Sequence, residues 1–205
     1  MIFKSIKVFL PVLATVVFSF SLAAQTPNFD TLKSKFEEGL VFESGFEHEL
    51  TDSYTGEVMH SSGSIWIDEV GYKLESEDQL LVVDGEITRV YDSSRNRVII
   101  DTYIPEDDDF APSRMLKGVD STYSISEEQV ENGTRVILET EDDFAVFLRV
   151  EILLDAQQNP VEITACDISE NLIVTTFKNG SFVEMEEGLF NLNYPDDAEI
   201  VDLRY

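Results

Sequence analysis

The sequence predicts a mainly β, antiparallel fold of about eleven strands with two short helices, and three observations predict it. From residue 40 onward apolar and polar residues alternate with the period of strands rather than helices. Turn dipeptides recur between the apolar runs, at Asp84-Gly85, Asn132-Gly133 and Asn159-Pro160. Only two segments read as helical. A sheet of so many strands must curl into a barrel or split into a two-sheet sandwich, and alternation alone leaves both open.

The chain has 205 residues, 43% of them hydrophobic, which is material for one core of ordinary size. Lys4 and Lys7 precede an apolar run from Val8 to Leu22 that closes on Ala23 and Ala24, the layout of an export signal. The expected division is therefore a signal peptide over 1–24 and a single domain over 25–205. The run is short for a bilayer span and is followed by polar residues, so a soluble mature protein is expected. Cys166 is the only cysteine, which excludes an intramolecular disulfide. It reads as a small strand residue.

The formal charge is −27, with 41 Asp and Glu against 14 Lys and Arg. Such a surface repels phosphates, so nucleic acid is not an expected partner. The acidic clusters Glu106 to Asp109, Glu141 to Asp143 and Asp196 to Asp197 lack the spaced ligands and glycine of a calcium loop, and read as a solvated face. No metal or cofactor is expected. His48 and His60 are the only histidines, and His48 falls on a strand, without the helical spacing of a zinc protease. It reads as a surface or edge histidine. No nucleophile elbow, phosphate loop or dinucleotide fingerprint is present, so the expectation is a non-enzyme.

In chain order, Asp30 is expected to cap a helix over Thr31 to Glu38, with Leu32 and Phe36 on one face and Gly39 as its stop. Phe42, Phe46 and Leu50 share a side of the first strand, which turns at Tyr54 to Gly56 into a second running to Ile65 and Ile67. Tyr72 to Glu77 follows the break at Gly71. Gln79 to Val83 and Ile87 to Tyr91 flank Asp84-Gly85, and Arg97 to Tyr103 returns through Ser93-Ser94. A short helix is expected from Pro112 over Ser113 to Lys117, presenting Met115 and Leu116. Tyr123 to Val130 pairs with Thr134 to Thr140. Ala145 to Leu154, with Val146, Leu148, Val150, Ile152 and Leu154 on one face, pairs with Val161 to Asp167. Leu172 to Phe177 and a terminal strand over Phe190 to Tyr194 complete the count.

These segments, in this order, resemble the LolA family of periplasmic lipoprotein carriers. The likeness is carried by Leu32 to Phe36, then Phe42 and Phe46, Gly63 to Ile67, Tyr72 to Leu74, Val83 to Gly85, Val90 to Asp92, Pro112 to Leu116, and the stretch Phe190 to Asp202. The resemblance implies an incomplete antiparallel barrel covered by helices, located in the periplasm, that shelters the acyl chains of lipoproteins. It implies a monomer whose partners are acylated lipoproteins, an inner-membrane lipoprotein-releasing ABC transporter and an outer-membrane acceptor. The residues placed on the cavity wall and lid are Leu32, Phe36, Phe42, Phe46, Ile65, Ile67, Tyr72, Leu74, Met115 and Leu116. Two positions depart from the family pattern. Arg89 stands where many members have tryptophan, and Glu69-Val70 stands where they have Arg-Pro. The family arginine latches the lid by donating to loop backbone, and a carboxylate at Glu69 only accepts.

Overall fold

The computed structural model describes residues 26–105, 108 and 112–204. The expected signal peptide lies outside them, as do Glu106, Asp107 and Asp109 of the first acidic cluster. Fourteen elements follow one another: α1 (Pro27–Glu37), β1 (Leu40–Thr51), β2 (Val58–Ile67), β3 (Tyr72–Ser76), β4 (Gln79–Val83), β5 (Ile87–Asp92), β6 (Arg97–Thr102), α2 (Pro112–Lys117), β7 (Ser124–Val130), β8 (Gly133–Glu139), β9 (Phe147–Leu154), β10 (Pro160–Asp167), β11 (Leu172–Glu184) and β12 (Glu199–Asp202).

All twelve strands form one sheet, in the order β12-β6-β5-β4-β3-β2-β1-β11-β10-β9-β8-β7. The sheet does not close, since β12 and β7 are its two edges. An incomplete barrel is therefore the correct branch, and the sandwich is excluded. Every pairing is antiparallel except β12 on β6, which is parallel.

Glycine and a bulge let the sheet curl. The β1–β11 register shifts between Glu43 and Gly45, a local extra residue that bends a strand. Opposite it, a Cβ on Gly180 would lie 2.5 Å from the Phe42 ring. The missing side chain is what admits that ring. Phe42 meets Phe177 edge to face at 5.3 Å and Phe182 at 5.3 Å, a favourable arrangement for ring quadrupoles.

Helix α1 starts earlier than expected. Pro27 opens it, as suits a residue lacking an amide hydrogen, while Thr26 at the N-cap makes no side-chain bond. Asp30 is not the cap; it lies in the first turn, where a carboxylate favours the helix dipole, and pairs with Lys33 at 3.0 Å. Phe29, Leu32 and Phe36 form the buried stripe. Gly39, at φ 81°, ends the helix as expected.

Three other expectations need correction. The β4–β5 turn centres on Gly85-Glu86, because Val83 pairs with Thr88 and the Asp84 amide donates to the Ile87 carbonyl at 3.2 Å. Glycine at the first central position suits that turn better than Asp84 would. On β9 the buried residue is Phe147, whereas Leu148 points outward. Cys166 pairs with Arg149 but Asp167 with Phe147, so Leu148 is the extra residue of a bulge and reverses the alternation beyond it. Finally, Phe190 to Tyr194 is not a strand. It crosses the outer face, with Tyr194 near Tyr91 at 6.4 Å, and the last strand is β12, which the even alternation of Phe190 to Tyr194 obscured.

The strands reverse at two ends, and the helices favour one of them. Lys35 of α1 donates to the Gln157 carbonyl at 2.6 Å and to Asn159 Oδ1 at 3.2 Å, both in the β9–β10 turn. Lys117 of α2 donates to the Glu69 carbonyl in the β2–β3 turn at the same end. The opposite end, bearing the β1–β2, β8–β9 and β10–β11 turns, receives no such tie among the described residues. The two helices and the concave face of the sheet share a single hydrophobic core.

Candidate functional site: an apolar cavity under α2

Three wider concavities among the described residues are open grooves with mixed polar and apolar walls. Another, of about 260 Å³, lies on the concave face. Its walls come from β1, β2, β3, β4, β10 and β11, and Pro112 and Met115 of α2 roof it.

Alternation explains how the strands supply this wall. Phe46 and His48 on β1, Ser61 and Ile65 on β2, and Ile173 and Thr175 on β11 all project to the same face. His48 pairs across to both Ser61 and Thr175, so these three form one level of the wall. Phe46, Ile65 and Ile173 are buried; His48 and Thr175 are half-buried, and Ser61 is exposed. Along β1 and β2 the wall becomes more exposed toward the end of the half-barrel that the helices leave uncovered, while on β11 Ile173, one level beyond Thr175, is buried.

Five residues expected from the sequence line this space: Phe46, Ile65, Tyr72, Leu74 and Met115. The other five do not. Leu32, Phe36, Phe42, Ile67 and Leu116 are at most 1% exposed and pack in the core beneath the helices. Alternation marks a dry face, and it cannot tell a wall from a filled interior. Leu81, Ile163 and Ile173 were missed, although each continues a period-two row on its strand. His48, expected as a surface or edge histidine, is half-buried and lines the cavity, on the same side of β1 as Phe46 and Leu50.

Two polar pairs interrupt the apolar lining. The Tyr72 hydroxyl donates to Asp108 Oδ2 at 2.9 Å. Burial raises the Tyr72 phenol above its ordinary range, and the neighbouring Asp108 carboxylate raises it further. His48 Nδ1 lies 2.9 Å from Thr175 Oγ1, and burial pushes the imidazole below its usual value. Among the described residues no group of His, Cys, Asp and Glu is placed to hold a metal.

The roof is held from two sides. Arg114 Nη1 donates to the Pro105 carbonyl at 2.9 Å and the Asp108 carbonyl at 3.2 Å, fastening α2 to the segment that carries the partner of Tyr72. Lys117 Nζ donates to the main-chain carbonyl of Glu69. The polarity differs from the arrangement that the family resemblance implies: here the cation sits on the lid helix and the barrel loop offers backbone. The Glu69 side chain takes no part in that bond.

No protein-family model matches the sequence, and no curated protein does. Solved structures do match. An uncharacterized conserved protein from Thermus thermophilus superposes with a TM-score of 0.54 at 11% identity, covering 84% of this chain and 98% of that one. A LolA superfamily protein from Nitrosomonas europaea gives a TM-score of 0.41 at 9% identity, covering 80% and 97%. A putative outer membrane lipoprotein-sorting protein domain from Vibrio parahaemolyticus gives 0.42 at 12%, covering 80% and 94%. The first shares this chain's fold over most of both lengths. The other two superpose more loosely, and the fold rests on the first. The unclosed sheet with helices across its concave face is the architecture that the LolA resemblance implies.

Proposed function

We propose that this chain is an exported, non-enzymatic carrier that shelters the acyl chains of lipoproteins between the inner and outer membranes. The observation that carries the reading is the cavity itself, a half-open apolar space roofed by a short helix that is fastened by hydrogen bonds. Each CH₂ removed from water gains about 0.8 kcal/mol, so an acyl chain crosses an aqueous compartment only when covered. The roof is held by the Arg114 and Lys117 hydrogen bonds and by buried Met115 and Leu116, so release of cargo requires a second arrangement of α2 that the cargo or a partner favours.

In this reading the leader over 1–24 is removed, the mature monomer works in the periplasm, and cargo arrives from an ABC transporter and leaves to an outer-membrane acceptor. The space of about 260 Å³ falls just below the ~300 Å³ at which small-ligand pockets usually begin. It holds part of one chain. A triacylated cargo therefore requires α2 to swing away, and this same small volume favours, as the second reading, a carrier of a single-chain lipid.

Incubation with a triacylated lipoprotein, its non-acylated form and a fluorescent fatty acid separates the two. A soluble one-to-one complex with the acylated lipoprotein alone supports the carrier. Binding of the fatty acid without the lipoprotein supports the second reading, and binding of none removes both.

A further inference from the structure

The uncovered end of the half-barrel exposes apolar side chains that neither the core nor the cavity uses. Tyr54 in the β1–β2 turn is 96% exposed, Phe144 in the β8–β9 turn 94% and Ile168 in the β10–β11 turn 58%. The three turns are neighbours along one end of the sheet, and apolar residues grouped in this way, unlike isolated ones, mark interaction surfaces.

The turn backbones that carry them are hydrogen-bonded. Asp52 accepts from the Tyr54 amide at 3.0 Å, Asp142 from the Phe144 amide at 2.9 Å, and Asp167 from the Ser169 amide beside Ile168 at 2.8 Å. The turns are also joined. Ser53 donates from its amide to Asn171 Oδ1 at 2.9 Å and from its hydroxyl to the Ser169 carbonyl at 2.5 Å. The Ile168 amide donates to the Val146 carbonyl at 3.1 Å. Three hairpins are thus stitched into one ledge, in the order that the strands set. A constrained turn backbone loses little further freedom when a partner covers it.

The charge of the ledge limits what that partner is. Residues 52–57, 141–146 and 167–171 together contain seven Asp and Glu and no Lys or Arg. An anionic lipid surface is repelled by such a frame, while a cationic protein surface is drawn to it.

We infer that Tyr54, Phe144 and Ile168 form the docking face for a protein that presents basic side chains around an apolar pocket. The inference rests on the carrier reading for its purpose, since the ledge stands at the end toward which the β1–β2 wall of the cavity becomes exposed. The apolar tips supply affinity, and the carboxylates supply orientation and encounter rate.

A synthetic amphipathic helix built only of Leu and Lys serves as the probe, with calorimetry on the full mature chain. The triple variant Tyr54→Ser, Phe144→Ser, Ile168→Ser keeps every charge, and should bind the probe at least tenfold more weakly, as loss of anchor residues does. The control Val70→Ser, Ile104→Ser removes exposed apolar groups at the helix-covered end and should bind as the parent does. Equal binding by the triple variant, or equal loss in the control, overturns the proposal. So does binding of the parent to phosphatidylcholine vesicles that the triple variant loses, which would make the ledge a membrane contact. Fluorescent fatty-acid uptake is measured on the same variants. Retained uptake with lost probe binding separates the ledge from the cavity, and absent uptake in the parent removes the carrier reading while leaving the probe result to stand.

Discussion

Lys117 on α2 donates its ammonium hydrogen to the main-chain carbonyl of Glu69, so the roof of the cavity is tied to the β2–β3 turn through backbone and not through the Glu69 carboxylate. Substitutions at the two positions should therefore differ. Lys117→Met removes the donor and should accelerate release of a fluorescent fatty acid, while costing under about 1 kcal/mol of stability because the contact is exposed. Glu69→Gln leaves the carbonyl in place and should leave release unchanged. Stopped-flow displacement checks both, and slowed release in Lys117→Met would exclude the tie as a latch.

The Tyr72–Asp108 pair gives a prediction at alkaline pH. The folded-state pKa of Tyr72 is raised above its unfolded value of about 10. Its contribution to stability is complete below pH ~10 and is lost as pH rises beyond it, because only the unfolded chain then releases the proton. Ultraviolet titration should show Tyr72 ionising only above the ordinary range of a tyrosine phenol. Tyr72→Phe should lower stability near neutral pH by about 1–3 kcal/mol, the penalty for leaving a partly buried acceptor unmatched, and should flatten the alkaline fall.

His48 has the opposite sign. Burial depresses its folded-state pKa below the unfolded value of about 6.5, so the native state resists protonation. That contribution is present above pH ~6.5 and is lost as pH falls. His48→Asn keeps a polar group facing Thr175 and should reduce the dependence of thermal stability on pH between about 6.5 and 5. Identical pH slopes for parent and variant would show that His48 is solvated in solution.

Gly180 and Phe42 should be energetically coupled. Gly180→Ala places a methyl 2.5 Å from the Phe42 ring, and overpacking of this kind costs about 1–3 kcal/mol. With Phe42→Leu in the background the added penalty of Gly180→Ala should shrink. Denaturant unfolding of the four-member cycle measures it, and additive losses would contradict the close approach.

Much of this architecture is legible in the sequence, because the period of two survives wherever a strand has one dry face. Alternation puts Phe46 and Ile65 on a dry face, while Tyr72, Leu74 and Met115 are placed on the wall and lid by the family resemblance. The failures have physical causes. The bulge at Leu148 reverses the alternation within one residue, and nothing local announces it. The Phe190 to Tyr194 alternation is real, but there it packs a loop on the outer face rather than pairing a strand. Leu32, Phe36, Phe42, Ile67 and Leu116 are as apolar as the residues that line the cavity, and only the curl of the sheet decides which of them face empty space. Lys117 could not be anticipated as a tie, since its acceptor is main chain and carries no signature in the sequence.

The most direct measurement is equilibrium binding of a fluorescent fatty acid to the mature chain and to Leu74→Ser and Met115→Ser, with circular dichroism on each. Saturable one-to-one binding, weakened about tenfold or more in both folded variants, is the predicted result. Folded variants that bind as the parent does, or a parent that does not bind at all, would contradict the cavity as the ligand site.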